Sequence, residues 1–132
     1  MTYLENYFKL QFEYESFYKR KVIILQELGS FYETYEYDPD ICIDSDLKSI
    51  IYNKRIGHTS DICNELKLKP FYRNRQTSHS INNPLMTGFP VVCCEKYINA
   101  LLEHSYIVIK LEYCKADPSL NYCITEIIQP NH

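Results

Sequence analysis

The stretch Val22-Ile23-Ile24-Leu25-Gln26-Glu27-Leu28-Gly29-Ser30-Phe31-Tyr32-Glu33, residues 22–33, decides the fold. Its first four residues are apolar and mostly β-branched, which predicts a short buried strand. Gly29 breaks that strand, and the aromatic-rich, alternating residues from Ser30 to Tyr37 predict a second one. Because only Gly29-Ser30 separate them, the two strands form either a tight hairpin or one bent strand.

Helical periodicity flanks this stretch on both sides. Thr2 and Glu5 have the spacing of a capping box, and they open a helix predicted over residues 2–17. A second periodic stretch predicts a helix over residues 91–104, and residues 61–66 have the pattern of the end of another helix. The apolar stripe of the first helix is Tyr3, Tyr7, Leu10, Tyr14 and Phe17, widened by Leu4 and Phe8. The stripe of the later helix is Val91, Cys94, Ile98, Leu101 and Leu102.

The remaining segments predict further strands and turns. Strands are expected over residues 68–73, 106–111 and 122–128, turns at Gly88-Phe89-Pro90 and Pro118, a helical turn near residues 47–51, and a surface loop over residues 76–83. Helices alternate with strands, and at least two strands are adjacent in the chain. We therefore expect one domain, residues 1–132, of the α/β (α+β) class, with a mixed sheet of about five to six strands and about three helices.

The composition is that of a soluble globular domain. The chain has 132 residues, of which 45% are hydrophobic and 23% charged, and this length can bury a core without disulfides or metals. No apolar run reaches the roughly 18 residues of a membrane helix, and the first residues lack the pattern of a signal peptide. The six cysteines contain no C-x-x-C pair, so we expect reduced, mostly buried thiols in an intracellular, reducing compartment, with no membrane association.

Charge is unevenly distributed along the chain. The net charge is −3, and residues 1–46 carry four basic against ten acidic side chains. Residues 66–94, in contrast, contain no acidic side chain, and their charged side chains are Lys67, Lys69, Arg73 and Arg75. Such a segment is either a solvated basic loop or a local set of phosphate contacts in an otherwise acidic domain.

Motifs of common enzymes are absent from the sequence. Its three glycines cannot form a glycine-rich phosphate loop, and there is no nucleophile elbow. One loose pattern does match metal-dependent nucleases, since Asp40 is followed by Glu65-Leu66-Lys67. Two carboxylates there would hold a divalent metal, and the lysine would activate water. Glu65 and Lys67 fall near a predicted helix end, which is not the central strand position that this chemistry uses.

Phe31 and Glu33 form the best candidate binding pair. Residues two apart on a strand point to the same face. A flat apolar ring can wedge between base steps, and a nearby carboxyl can hydrogen-bond an exposed base edge. The pair would favour DNA that is already easy to kink. The ordinary structural alternative is that Phe31 packs in the core while Glu33 is a solvated strand residue.

The order of three motifs resembles the N-terminal mismatch-recognition domain (domain I) of the MutS DNA repair family. That family has a Tyr-Phe helix, an apolar strand, Gly-Asp-Phe-Tyr-Glu, a Met-Ala-Gly-Ile-Pro turn, a helix and a strand. The matching residues here are Tyr7-Phe8, Val22–Leu28, Gly29-Ser30-Phe31-Tyr32-Glu33, Met86-Thr87-Gly88-Phe89-Pro90, and the elements that follow to Ile128. Ser30 replaces the family's Asp, and residues 38–85 differ, as in a divergent viral or organellar branch.

The resemblance implies a function and a set of roles. Phe31 would insert from the minor groove and stack on a mispaired base, and Glu33 would accept or donate a hydrogen bond to that base. Tyr32 would face the core, and Gly88 and Pro90 would form a turn outside the site.

It also implies partners. The ligand would be mismatched double-stranded DNA, with Lys67, Lys69, Arg73 and Arg75 as possible phosphate contacts. The domain itself would be no enzyme and hold neither cofactor nor metal. It would be part of a larger, dimeric protein whose other MutS domains bind ATP and Mg²⁺. The alternatives are the nuclease, and a MutS-like fold kept as an interaction module, in which Phe31 would be packed inside.

Overall fold

A computed structural model, which describes residues 2–116 and 121–131, shows a mixed β-sheet with helices on both faces. The predicted α+β class is therefore confirmed, with five strands and three α-helices among the described residues. The helices are α1 (Tyr3–Tyr18), α2 (Thr59–Leu66) and α3 (Cys94–Glu103). The strands are β1 (Val22–Leu28), β2 (Phe31–Glu36), β3 (Leu85–Pro90), β4 (Ile107–Tyr113) and β5 (Tyr122–Ile128).

The strands lie in the order β3-β2-β1-β4-β5, with β1 at the centre of the sheet. β1 and β4 are parallel and pair Val22 with Ile107, whereas all other neighbours are antiparallel. The first five residues of β1 are buried. A strand covered on both faces needs a continuous apolar run, which explains why Val22–Leu25 lacks the alternation of a half-exposed strand.

Each face of the sheet has its own core. α1 covers one face, where Tyr7 and Phe8 pack against residues such as Ile24, Tyr35 and Ile109. α2 and α3 cover the opposite face, and this second core contains Ile23, Leu25, Tyr32, Ile62, Phe89, Ile98, Leu101 and Val108. The predicted stripe of α3 is confirmed, because all five of its residues belong to or pack against this core. Alternate residues of a strand therefore enter different cores.

The hydroxyl of Tyr7 bridges β1 and β2 at a point where the two backbones are not hydrogen-bonded to each other directly. The β1–β2 ladder covers three residue pairs next to the turn. Two residues further along each strand, Tyr7 Oη donates to the Ile24 carbonyl at 2.8 Å and accepts from the Tyr35 N–H at 3.2 Å. It also lies 2.8 Å from Thr34 Oγ1. α1 is thereby tied to both strands at a fully buried point.

The N-terminal helix begins as predicted, and most of its predicted stripe is buried or packs against the core. Thr2 Oγ1 accepts the Glu5 N–H at 3.1 Å, as a capping residue does. The buried residues are Leu4, Tyr7, Phe8 and Gln11, whereas Phe17 of the predicted stripe is 76% exposed. Gln11 is buried because its amide donates to the Val22 carbonyl at 2.7 Å.

Several predicted segments are wrong. Gly88-Phe89-Pro90 is no turn but the end of β3, and residues 68–73 form no strand apart from one bridge between Phe71 and Met86. The expected helical turn over residues 47–51 shrinks to a 3-10 turn at Ser45–Leu47. The turn expected at Pro118 lies outside the described residues.

Two further sequence expectations can be compared with the structure. All six cysteines are free, but only Cys42 and Cys63 are buried, so the expectation of mostly buried thiols is wrong. Among the described residues, none of the helices combines the length and the apolar character that a membrane crossing requires.

Candidate nucleic-acid interface

Phe31 lies at the tip of the β1–β2 hairpin and is exposed. Gly29 adopts the left-handed conformation at φ 62°, and Leu28 pairs with Phe31 across the two-residue turn. Of the two possibilities that the sequence left open, the hairpin is therefore correct. Phe31 is 44% exposed, whereas Tyr32 is 2% exposed and contacts Phe89 in the core. The outward position of Phe31 differs from the buried one that an interaction module would require.

Glu33 lies on the same face as Phe31 but is mostly buried. Its side chain is only 12% exposed. Oε1 accepts a hydrogen bond from the Tyr35 hydroxyl at 2.6 Å and another from the Arg73 guanidinium at 2.6 Å. Glu33 is therefore neither the solvated strand residue of the ordinary alternative nor a freely moving acid.

The electrostatics of this cluster follow from that geometry. Burial raises the pKa of Tyr35, and the neighbouring Glu33 carboxylate raises it further. Burial acts to lower the pKa of Arg73, but its ion pair with Glu33 outweighs this effect and the pKa is raised. The tyrosine is therefore neutral and the arginine charged throughout the range in which proteins fold, and both act as donors to Glu33.

Strand β3 brings two small residues against the candidate pair. In the β2–β3 register Gly88 lies opposite Glu33, and Pro90 lies opposite Phe31. A Cβ at Gly88 would lie 2.4 Å from the Tyr32 carbonyl oxygen, so the close approach of β2 requires glycine there. The expectation that Gly88 and Pro90 form a turn outside the site is wrong, because both lie in β3 opposite the candidate pair. The sequence alone did not reveal this strand, since its pairing partners are distant in the chain.

Of the four predicted basic contacts, only Arg73 is placed at the candidate pair. Lys67, Lys69, Arg73 and Arg75 are all exposed. Lys67 is the left-handed C-cap residue of α2, and the Lys69 carbonyl accepts from Thr87 Oγ1 on β3 at 3.0 Å. The guanidinium of Arg73 contacts Glu33, and a phosphate contact by it or by the others stays a prediction.

A hydrogen-bond network that no sequence motif predicted anchors the hairpin tip from the other face of the sheet. The Tyr32 hydroxyl donates to Glu112 on β4, and Thr125 on β5 donates to the same carboxylate. Burial acts to raise the pKa of Glu112, but these two hydrogen bonds, together with the charges of Lys110 and Lys115, outweigh it and the pKa is lowered. Tyr32, which lies between Phe31 and Glu33 in the chain, is thus hydrogen-bonded to the β4–β5 half of the sheet.

The residues of the nuclease pattern are not assembled into a metal centre. The Glu65 carboxylate accepts a hydrogen bond from the Tyr106 hydroxyl at 2.7 Å, and Asp40 lies in the 3-10 turn Pro39–Ile41. Lys67 follows the end of α2, as the sequence indicated. In the part of the chain that the structure describes, no group of three or more His, Cys, Asp or Glu side chains is placed to hold a metal ion.

Comparison with family models and with curated proteins identified no relative of this chain. The chain matches no family model, and no curated protein is significantly similar to it.

Proposed function

We propose that this chain is a binding module that senses mispaired or distorted duplex DNA, as the N-terminal domain of MutS proteins does. The observation that carries the proposal is the alternation at the hairpin tip. Phe31 is exposed at the tip, Tyr32 points to the opposite face and is buried, and Glu33 lies mostly buried on the same face as Phe31. An exposed aromatic wedge with an acid next to it suits a base step that is already weakly stacked.

The surroundings support a contact with duplex DNA. Lys67, Lys69 and Arg75 are exposed in the segment that joins α2 to β3, and β3 pairs with the strand that carries Phe31. Phosphate contacts supply affinity without reading sequence. The module needs no catalytic group, metal or cofactor for this function. In a larger, dimeric protein, ATP would be bound by other domains.

The experiment is a comparison of Phe31→Ala with a matched surface aromatic. Phe17→Ala serves as the control because Phe17 is exposed near the C-terminus of α1, on the same protein. Binding of labelled duplexes with and without a single mismatch is measured by fluorescence anisotropy at low salt. Stacking of one base on an aromatic ring contributes roughly 1–3 kcal/mol. We therefore expect the preference for mismatched DNA to fall about tenfold in Phe31→Ala.

Binding to fully paired DNA should change little in either variant, because phosphate contacts dominate it. The wedge role is wrong if Phe31→Ala discriminates mismatches as well as Phe17→Ala does. The proposed function itself is wrong if the unmodified chain binds mismatched and paired duplexes equally.

A further inference from the structure

Cys114 and Cys123 lie on the same face of the β4–β5 pair. In the register of these strands Cys123 lies opposite Glu112. Cys114 comes two residues after Glu112, just beyond the end of β4, and its N–H donates to the Asn121 carbonyl at 3.3 Å. Because side chains two apart on a strand share a face, the two thiols are diagonal neighbours across the strands.

The two thiols contact each other and can be reached from solvent. They hydrogen-bond each other, and this contact is the main reason why the pKa of Cys123 is raised. Both cysteines are partly exposed. An open cavity of about 290 Å³ beside Cys123 is lined by Glu27, Glu112, Lys115 and Thr125, among others. A small molecule can therefore approach a pair of thiols that are already in contact.

The spacing of the pair suits a disulfide that forms and breaks readily. The Cα atoms of diagonal neighbours are about 7–8 Å apart, slightly beyond the roughly 4.4–6.8 Å of a relaxed disulfide. Cys114 lies outside β4, so a small shift of the chain beyond the strand end closes this gap. The resulting bond is exposed and somewhat strained, and such disulfides are the ones that are most easily reduced.

We propose that Cys114 and Cys123 form a redox-active dithiol, which a small disulfide such as glutathione disulfide converts reversibly into an intramolecular disulfide. The thiolate of one cysteine attacks the small disulfide, forms a mixed disulfide and releases one glutathione. The thiolate of the other cysteine then attacks the mixed disulfide and releases the second glutathione. The protein loses two electrons and two protons, and glutathione disulfide is reduced to two thiols. This inference does not depend on the proposed function.

Trypsin separates the two cysteines, which makes the cross-link easy to detect. It cleaves after Lys110 and Lys115, and no lysine or arginine follows Lys115. Cys114 is therefore released on residues 111–115 and Cys123 on residues 116–132. The folded protein is treated with glutathione disulfide, its remaining thiols are alkylated, and the unreduced digest is analysed by mass spectrometry. We expect the two peptides to be joined, and an excess of reduced glutathione before alkylation to separate them.

A matched variant moves one thiol to the other face. In Cys123→Ser/Ile124→Cys the cysteine shifts by one residue, to a position that packs against the core beneath α1. The distance along the chain hardly changes, but thiols on opposite faces cannot bridge, so we expect at least about tenfold less cross-link. In Cys114→Ser the second step is impossible, and glutathione should stay on Cys123. Cys93→Ser removes another exposed thiol and should leave the cross-link unchanged. Circular dichroism confirms that each variant is folded.

Three results would overturn the proposal. If the oxidised unmodified chain carries only mixed disulfides with glutathione, the two thiols do not reach each other. Equal cross-linking in Cys123→Ser/Ile124→Cys would assign the bond to closeness along the chain and not to the strand register. A bond that persists in an excess of reduced glutathione would refute the reversible exchange. The preference for mismatched DNA tests the proposed function separately, and none of these three results bears on it.

Discussion

Replacing Tyr7 by Phe removes one oxygen atom that serves two strands at once. The Phe ring fills the same fully buried space, so no cavity forms and the loss is purely polar. Without the hydroxyl, the Ile24 carbonyl and the Tyr35 N–H lose their partner. The Thr34 hydroxyl can rotate toward another acceptor.

The expected cost follows from these two orphaned groups. A buried polar group without a partner costs about 1–3 kcal/mol, so two of them cost roughly 2–6 kcal/mol. The strands can partly close and pair with each other directly, which places our expectation near 3 kcal/mol. That is a large share of the roughly 5–15 kcal/mol by which a domain is stable.

Urea unfolding followed by circular dichroism measures this loss. With a urea dependence of about 1–3 kcal/mol per molar, the midpoint should fall by roughly 1–3 M while the slope stays unchanged. Tyr14→Phe is the matched control, because Tyr14 lies in the same helix, is half-buried and stacks on Tyr18 through its ring. The bridging role of the Tyr7 hydroxyl is refuted if the two variants differ by less than about 0.5 kcal/mol, the usual size of a surface substitution.

Two further predictions concern the backbone and pH. Gly88→Ala should destabilise the fold by about 3 kcal/mol or more, because its Cβ would lie 2.4 Å from a backbone oxygen of β2. Gly29→Ala, with no atom within 4 Å of its Cβ, should cost only the strain of its positive φ, about 1 kcal/mol. The urea midpoints of the two variants measure this difference. Burial lowers the pKa of His79, although Asp38 and Glu36 oppose this. The folded protein therefore binds a proton more weakly than the unfolded chain, and the free energy of unfolding should fall as the pH drops below 6.5, the ordinary value.

Both predictions have a clear contrary result. Equal midpoints for the two glycine variants would mean that β2 and β3 do not approach as described. His79 Nε2 accepts the Asp38 N–H at 2.8 Å, so protonation replaces an acceptor by a donor. His79→Gln should remove about 1 kcal/mol of this acid-dependent loss, and an unchanged pH profile in that variant would assign the loss to other groups.

The sequence predicted elements whose cause is local. Val22–Leu25 is apolar and β-branched, Gly29 supplies the positive φ of the turn, and the stripe of α3 repeats at helical spacing. Each of these signals lies within the element that it predicts. Strand alternation places Phe31 and Tyr32 on opposite faces, and the exposure of Phe31 comes from its position at the hairpin tip.

The remaining features depend on partners far away in the chain. Gly88 and Pro90 resemble a turn until β2 is known to pass close to them. Phe17 fits the helical stripe of α1, but at that end of the helix Tyr14 and Tyr18 pack against the core and Phe17 is exposed. The ion pair of Arg73 with Glu33 required the fold of a polar segment, and a sequence pattern does not specify which of four basic residues is anchored there.

The parallel pairing of β1 with β4 has a consequence for synthesis. β1 can acquire β2 and α1 as soon as they leave the ribosome, but its other edge must wait for the register of Val22 with Ile107. At about 5–20 residues per second, that delay is on the order of ten seconds. Over this interval the most apolar strand has an open edge, which can pair with a strand of another chain. The yield of correctly folded protein is then limited by the time before β4 emerges, whatever the stability of the finished sheet.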